Sequence, residues 1–258
     1  MPTIIPIRAF ADNYIWLLRK GAHAAVVDPG DAAPVLAYLE REGATLTAIL
    51  ATHHHADHVG GNGALLARFP VPVYGPARET IPGRTHALQE GDSFVVPGIG
   101  VSLSVLDVPG HTSGHIAYVG DIGGAASLFC GDTMFAAGCG RLFEGTPAQM
   151  WQSLAKFAAL PPATQVYCGH EYTLANLRFA AAVEPDNAHV HTRQVREQAK
   201  RDRGEPTLPS TIGDERATNP FLRANVPAVK TAAEAYAGHA LADDVASFAA
   251  VRAWKNAF

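Results

Sequence analysis

A chain of 258 residues with 48% hydrophobic and 17% charged side chains has apolar material for one large domain, or for a medium one and a small one. A net charge of −4 gives no global attraction to nucleic acid or anionic lipid. No apolar run reaches the ~20 residues of a membrane span, and Met1–Leu18 lacks the basic start and continuous apolar stretch of a signal peptide, so a cytoplasmic setting is expected. The three cysteines, Cys130, Cys139 and Cys168, form no C-x-x-C pair and read as reduced, mostly buried thiols.

In chain order, short apolar runs between Gly/Pro turns predict strands at Thr3–Arg8, Tyr14–Arg19 and Ala24–Val27, then a helix over Pro34–Glu40. Further strands follow at Ala48–Ala51, Val71–Tyr74, Ser93–Val96, Val101–Leu106, Ile116–Val119 and Ser127–Cys130. Thr146-Pro147-Ala148-Gln149 reads as a capping box, opening a helix with Met150, Trp151, Leu154 and Phe157 on one face. A last strand is expected at Gln165–Tyr167. Beyond Tyr172 the strand runs stop. Leu174–Val183, Val190–Arg203, Pro227–Ala237 and Asp243–Lys255 read as helices broken by Gly204, Pro206, Pro209 and Pro220. The expected organisation is an α/β domain over residues 1–172 and a smaller, mainly helical domain over 173–258. The basic run Arg193–Arg203 reads as a solvated helix face.

The 12 histidines are unevenly spread. Directly after Ala48–Ala51 comes Thr52-His53-His54-His55-Ala56-Asp57-His58, in which His53, His55, Asp57 and His58 are ligand types for zinc, iron or manganese. Four more apolar runs end in a turn carrying a His or Asp: Val27-Asp28-Pro29-Gly30, Asp107-Val108-Pro109-Gly110-His111, Cys130-Gly131-Asp132 and Cys168-Gly169-His170. Sites in sheets flanked by helices form beyond the carboxyl ends of strands, so several strands each delivering one ligand to that edge point to a metal site. Asp28 reads either as a carboxylate that orients a ligand histidine or as an ordinary turn residue. His54 is expected to point away, and His115 to pack near the site without binding metal.

His53-x-His55-x-Asp57-His58 with His111, Asp132 and His170 resembles the signature of the metallo-β-lactamase superfamily, over about Ile4 to His170. The resemblance implies an αββα sandwich and two divalent metal ions, zinc first, with iron or manganese as alternatives. His53, His55 and His111 would hold one metal, and Asp57, His58 and His170 the other. Asp132 would bridge them, and Asp57 and Asp132 would be the catalytic carboxylates. Thr52–Asn62, Pro109–His115, Gly138–Thr146, Cys168–Thr173 and Asn219–Arg223 are similar to the hydroxyacylglutathione hydrolase (glyoxalase II) family. That implies hydrolysis of S-D-lactoylglutathione to D-lactate and glutathione, the second step of methylglyoxal detoxification. Family glutathione contacts carry over to Arg141, Phe143, Tyr172, Arg252 and Lys255. Relatives often have Tyr where this chain has Phe143, which leaves its backbone N–H as the contact there. A small-molecule thioester is the expected partner, with no nucleic acid and no membrane, and a monomer is expected.

The chemistry agrees with a thioester. Metal binding lowers the pKa of water from 15.7 toward about 7, giving hydroxide for attack. The leaving thiolate, with a free thiol pKa of ~8.5, departs without a general acid. Competing readings are another hydrolase of the same fold, a single-iron sulfur dioxygenase, and a metal-binding protein without activity.

Overall fold

The structure, a computed structural model, describes residues 1–258. Its first sheet contains β1 (Thr3–Ala9), β2 (Asn13–Lys20), β3 (His23–Val27), β4 (Thr45–Leu50), β5 (Val73–Pro76) and β6 (His86–Leu88), side by side in that order. Helix α1 (Ala32–Arg41) joins β3 to β4, and α2 (Ala56–Val59) and α3 (Asn62–Arg68) lie between β4 and β5. Pairing is antiparallel from β1 to β3 and parallel from β3 to β6. Then come β7 (Ser93–Val95), β8 (Ser102–Asp107), β9 (Ile116–Ile122), β10 (Ala125–Gly131) and a hairpin of β11 (Met134–Phe135) and β12 (Gly138–Cys139). After α4 (Pro147–Ala158), β13 (Gln165–Cys168), α5 (Thr173–Val183), α6 (Ala188–Asp202) and β14 (Ser210–Thr211), the chain closes with α7 (Ile212–Thr218), α8 (Pro227–Ala237) and α9 (Asp244–Ala257). The second sheet runs β14-β13-β10-β9-β8-β7. This is the expected α/β fold with a helical carboxy-terminal region.

The chain divides into two compact units. Met1–Asp107, Ser113–Gly131 and Tyr167–His170 form the first; Val108–Thr112, Asp132–Val166 and Glu171–Phe258 form the second. In the first unit, alternation sorts the side chains of the first sheet. Ile15 and Leu17 of β2, Val26 of β3 and Ile49 of β4 pack with Val35 and Leu39 of α1 and Leu65 of α3. The opposite face meets the second sheet through aromatic rings: Trp16 against Tyr167, with centroids 4.9 Å apart, and Tyr74 stacked on Phe94 at 4.2 Å. Strand β2 is therefore buried on both faces from Asn13 to Leu18. Buried Tyr118 of β9 donates its hydroxyl to the carbonyl of Ala51 at 2.7 Å, tying the second sheet to the residue that opens the histidine segment. Burial and the nearby Asp28 carboxylate push the phenol well above its ordinary pKa, so it stays a donor.

In the second unit, the capping box of α4 is present as expected: Thr146 accepts from Gln149 N–H and Gln149 from Thr146 N–H. All three cysteines are buried thiols outside any disulfide, as expected. The basic run needs a correction. Arg193 is buried and pairs with Glu215 at 2.7 Å, so α6 is not solvated around its circumference. Elements absent from the sequence reading are those too short to show a period: β6, β11, β12, β14, α2, α3 and α7. For α7 a cue existed, since Thr211 caps Asp214 N–H and Asp214 and Glu215 fill the first turn.

Tyr118→Phe leaves the Ala51 carbonyl without this donor and is expected to cost about 1–3 kcal/mol in urea unfolding. An unchanged midpoint would show that the tie contributes nothing.

Candidate functional site

In the first unit the site begins where parallel strands β3 and β4 end side by side. Asp28 follows β3 in a left-handed conformation, φ 54°, that Asp tolerates better than most residues. Its carboxylate is buried and collects three donors. Thr52 N–H and the Thr52 hydroxyl each lie at 2.7 Å, and His58 Nδ1 at 3.2 Å. Because Thr52 spends its proton on Asp28, its oxygen accepts from His53 Nδ1 at 3.0 Å. His53 and His58 are thereby held with the proton on Nδ1 and the lone pair on Nε2. Gly30 is required by a close approach: a Cβ there would stand 1.8 Å from the carbonyl oxygen of Asp57.

A second carboxylate treats His170 the same way. Backbone bonding of Tyr14 N–H to Gly169 O at 2.8 Å brings the β1–β2 turn to the end of β13. Asp12 then accepts from His170 Nδ1 at 2.9 Å, and Asn13 Nδ2 donates to Asp57 Oδ2 at 3.1 Å. Around Asp57 Oδ2 stand His170 Nε2 at 3.4 Å and His58 Nε2 at 3.5 Å. His53 Nε2 and His55 Nδ1 face each other at 3.1 Å. The first unit therefore brings together His53, His55, Asp57, His58 and His170. Two residues stand apart. His54 pairs with buried Glu79 at 3.0 Å, and His115 stacks on His53 while its Nδ1 meets the carbonyl of Ile116 at 3.0 Å.

These separations test whether a cation fits. Zinc–nitrogen bonds of about 2.0–2.1 Å place tetrahedral ligands about 3.4 Å apart, the spacing seen around Asp57. Asp57, His58 and His170 converge as a set that could hold a divalent metal. Asp28, His53 and His58 also converge, but the three donors already on Asp28 make it an orienting carboxylate, one of the two readings left open by the sequence.

The second unit brings together the other two candidate ligands. His111 Nε2 lies 3.6 Å from Asp132 Oδ2, and His111 Nδ1 donates to the carbonyl of Arg141 at 2.9 Å. A Cβ at Gly140 would sit 2.0 Å from the carbonyl oxygen of Asp132 and 2.9 Å from His111 Nδ1. The same unit holds a cavity of about 290 Å³ lined by Phe135, Cys139, Arg141, Tyr172, Ala175, Asn176, Arg252 and Lys255. No carboxylate is among these side chains. Arg252 is buried, anchored on the carbonyl of Cys139 at 2.8 Å and stacked over Phe221. Burial lowers the Lys255 pKa below its ordinary value, and the cations of Arg252, Arg178 and Arg141 lower it further. Arg178 was missed in the sequence because a lone arginine on α5 carries no local signal. Burial pushes the Cys139 thiol up to about 11, which makes it a poor nucleophile. Phe143 lies outside the cavity lining and is 65% exposed. Its N–H is bonded to the carbonyl of His111 at 3.3 Å. A larger groove of about 490 Å³ beside Leu174, Gln194 and Val195 contains none of the expected site residues.

Comparison with known proteins agrees with this anatomy. Residues 10–170 match the family described as Metallo-beta-lactamase superfamily, and residues 171–258 match Hydroxyacylglutathione hydrolase C-terminus. The chain is similar to a hydroxyacylglutathione hydrolase of Alkalilimnicola ehrlichii, 62% identical over 99% of both chains. It is also similar to one of Nitrosomonas europaea, 54% identical over 100% of this chain and 97% of the relative. Among solved structures it is similar to ETHE1 from Myxococcus xanthus, with TM-score 0.63, 26% identity, and 86% and 84% of the two chains covered.

Asp28→Ala frees the Nδ1 proton of His58 and the Thr52 hydroxyl. Zinc affinity, read by chelator competition, is expected to fall about 10–100-fold. Unchanged affinity would show that Asp28 does not orient the histidines.

Proposed function

Since the chain belongs to the hydroxyacylglutathione hydrolase family of the metallo-β-lactamase superfamily, we propose that it hydrolyses S-D-lactoylglutathione to D-lactate and glutathione at two bound zinc ions. The observation that carries the substrate assignment is the cavity of the second unit, where Arg141, Arg252 and Lys255 converge without a carboxylate. Glutathione presents two carboxylates, and guanidinium and ammonium groups pair with them.

In this reading His53, His55 and His111 would hold one metal and Asp57, His58 and His170 the other, with Asp132 as a further carboxylate ligand. When bound, the metals supply Lewis acidity that makes water nucleophilic at neutral pH. The remaining work belongs to the chain. Asp28, Thr52 and Asp12 keep the Nε2 lone pairs of His53, His58 and His170 presented, so no rearrangement is needed during turnover. Asp57 and Asp132 would be the catalytic carboxylates of the site. Arg141, Tyr172, Arg252 and Lys255 grip the glutathione moiety and orient the thioester carbonyl. The leaving thiolate needs no proton donor. The buried Cys139 thiol, raised to about 11, argues against an acyl-cysteine route.

The test is hydrolysis of S-D-lactoylglutathione by metal-quantified protein, with nitrocefin and a phosphodiester in parallel. The expected result is thioester cleavage at two metals per chain with both controls intact. Absence of thioester cleavage at full occupancy would discard the substrate assignment.

A pH profile probes the cavity. Lys255 loses its charge at lower pH than an ordinary lysine, because its folded-state pKa is depressed below 10.5. KM for the anionic thioester is therefore expected to rise with pH before 10.5, and Lys255→Arg, always charged, to flatten that rise. The same rise in both proteins would remove Lys255 from substrate binding.

A further inference from the structure

The β11–β12 hairpin supplies Phe135 and Cys139 to the cavity wall, and Arg141 follows after Gly140. Its turn is too short to hold itself. Two residues form each strand, and Ala137 sits in the left-handed region at φ 55°, which disfavours a side chain. Helix-borne side chains satisfy the turn's backbone instead. Asn219 Nδ2 donates to the carbonyl of Gly138 at 2.9 Å and to that of Phe135 at 3.3 Å. Asn176 Nδ2 donates to the carbonyl of Ala136 at 3.1 Å. Glu215 accepts the N–H of Ala137 at 2.7 Å.

Glu215 is the hub of this arrangement. It is fully buried, and its carboxylate also accepts from Asn219 Nδ2 at 3.0 Å, Arg193 Nη2 at 2.7 Å and the Ser210 hydroxyl. Arg193 in turn donates to Thr218 at 2.6 Å. A buried ion pair is a weak source of net stability compared with apolar packing of equal volume, but it fixes geometry. Here one oxygen answers the arginine and the serine, while the other faces the hairpin and the asparagine that grips it.

We propose that Glu215, acting through Ala137 and Asn219, is a positioning residue for the substrate cavity. The path to the ligand is short. The hairpin sets the carbonyl of Cys139, that carbonyl anchors Arg252 at 2.8 Å, and Arg252 faces the cavity beside Lys255. Release of the turn shifts the guanidinium and Phe135 together. Glu215 belongs to neither the candidate metal ligands nor the cavity lining, so its loss weakens binding of the glutathione moiety and spares metal content. The inference rests on the glutathione reading of the cavity.

Three variants test it: Glu215→Gln, Asn219→Ala, and the double variant Glu215→Gln with Ala137→Gly. Glutathione binding by calorimetry, metal content, KM and kcat are measured on the metal-loaded protein. The single variants are expected to weaken glutathione binding and raise KM about tenfold, the scale of one lost charge-assisted hydrogen bond, with kcat and metal content near wild type. Ala137→Gly relieves the left-handed strain and is expected to recover part of the lost affinity; the rise in KM with kcat and metal content unchanged is the readout a purely structural role would not give. Asn219→Ala leaves the Glu215–Arg193 pair intact, so it keeps the test open if Glu215→Gln does not fold. Wild-type glutathione affinity in a folded single variant would overturn the proposal, as would parallel loss of kcat and metal. Failure of the wild-type protein to bind glutathione would overturn the cavity reading and this proposal with it.

Discussion

Three donors converge on the buried carboxylate of Asp28, and the first unit is arranged to make that convergence possible. An ionised carboxylate inside a protein is costly unless hydrogen-bonded, and here each bond has a second use. The Thr52 N–H fixes the chain as it leaves β4. The Thr52 hydroxyl passes the constraint to His53, and the direct bond sets His58. Parallel pairing of β3 with β4 puts Asp28 beside Thr52, with Asp28 N–H bonded to the carbonyl of Leu50 at 2.9 Å. The left-handed backbone at Asp28 is the strain accepted for this aim, in the region where active sites store it.

Each unit separates the tasks of a hydrolase in its own way. The first gathers imidazole and carboxylate at strand ends, where dipoles and proton positions are fixed before any ligand arrives. The second gathers cations around a cavity and leaves their charges unanswered by lining carboxylates, so an acidic ligand relieves repulsion as it binds. Burial first, and then the neighbouring cations, lower the Lys255 pKa. A like-charged cluster of this kind destabilises the free protein slightly.

Much of this was legible in the sequence because strand ends announce themselves. An apolar run that stops at Asp28, Thr52, Asp107, Gly131 or Gly169 places the next polar residues at a sheet edge, and the ligand candidates were read that way. The orienting contacts were harder to read. Asp12 and Asn13 look like any hairpin turn, and only the approach of Tyr14 to Gly169, 155 positions away in sequence, gives them His170 and Asp57 as neighbours. Arg193 looked like one more solvated charge, since nothing local reveals that Glu215 lies opposite it. The bond from the Phe143 N–H to the carbonyl of His111 is again a contact between loops. Residues whose role is set by their own element could be read in advance; those whose role is set by a distant partner could not.

The most direct measurement is anomalous diffraction from crystals of the zinc-loaded protein. The account predicts an anomalous peak about 2.0–2.2 Å from His58 Nε2, His170 Nε2 and Asp57 Oδ2, with Asp28 remaining outside bonding distance and still accepting from Thr52 and His58. A peak bonded to Asp28, or zinc bound only away from these residues, would contradict it.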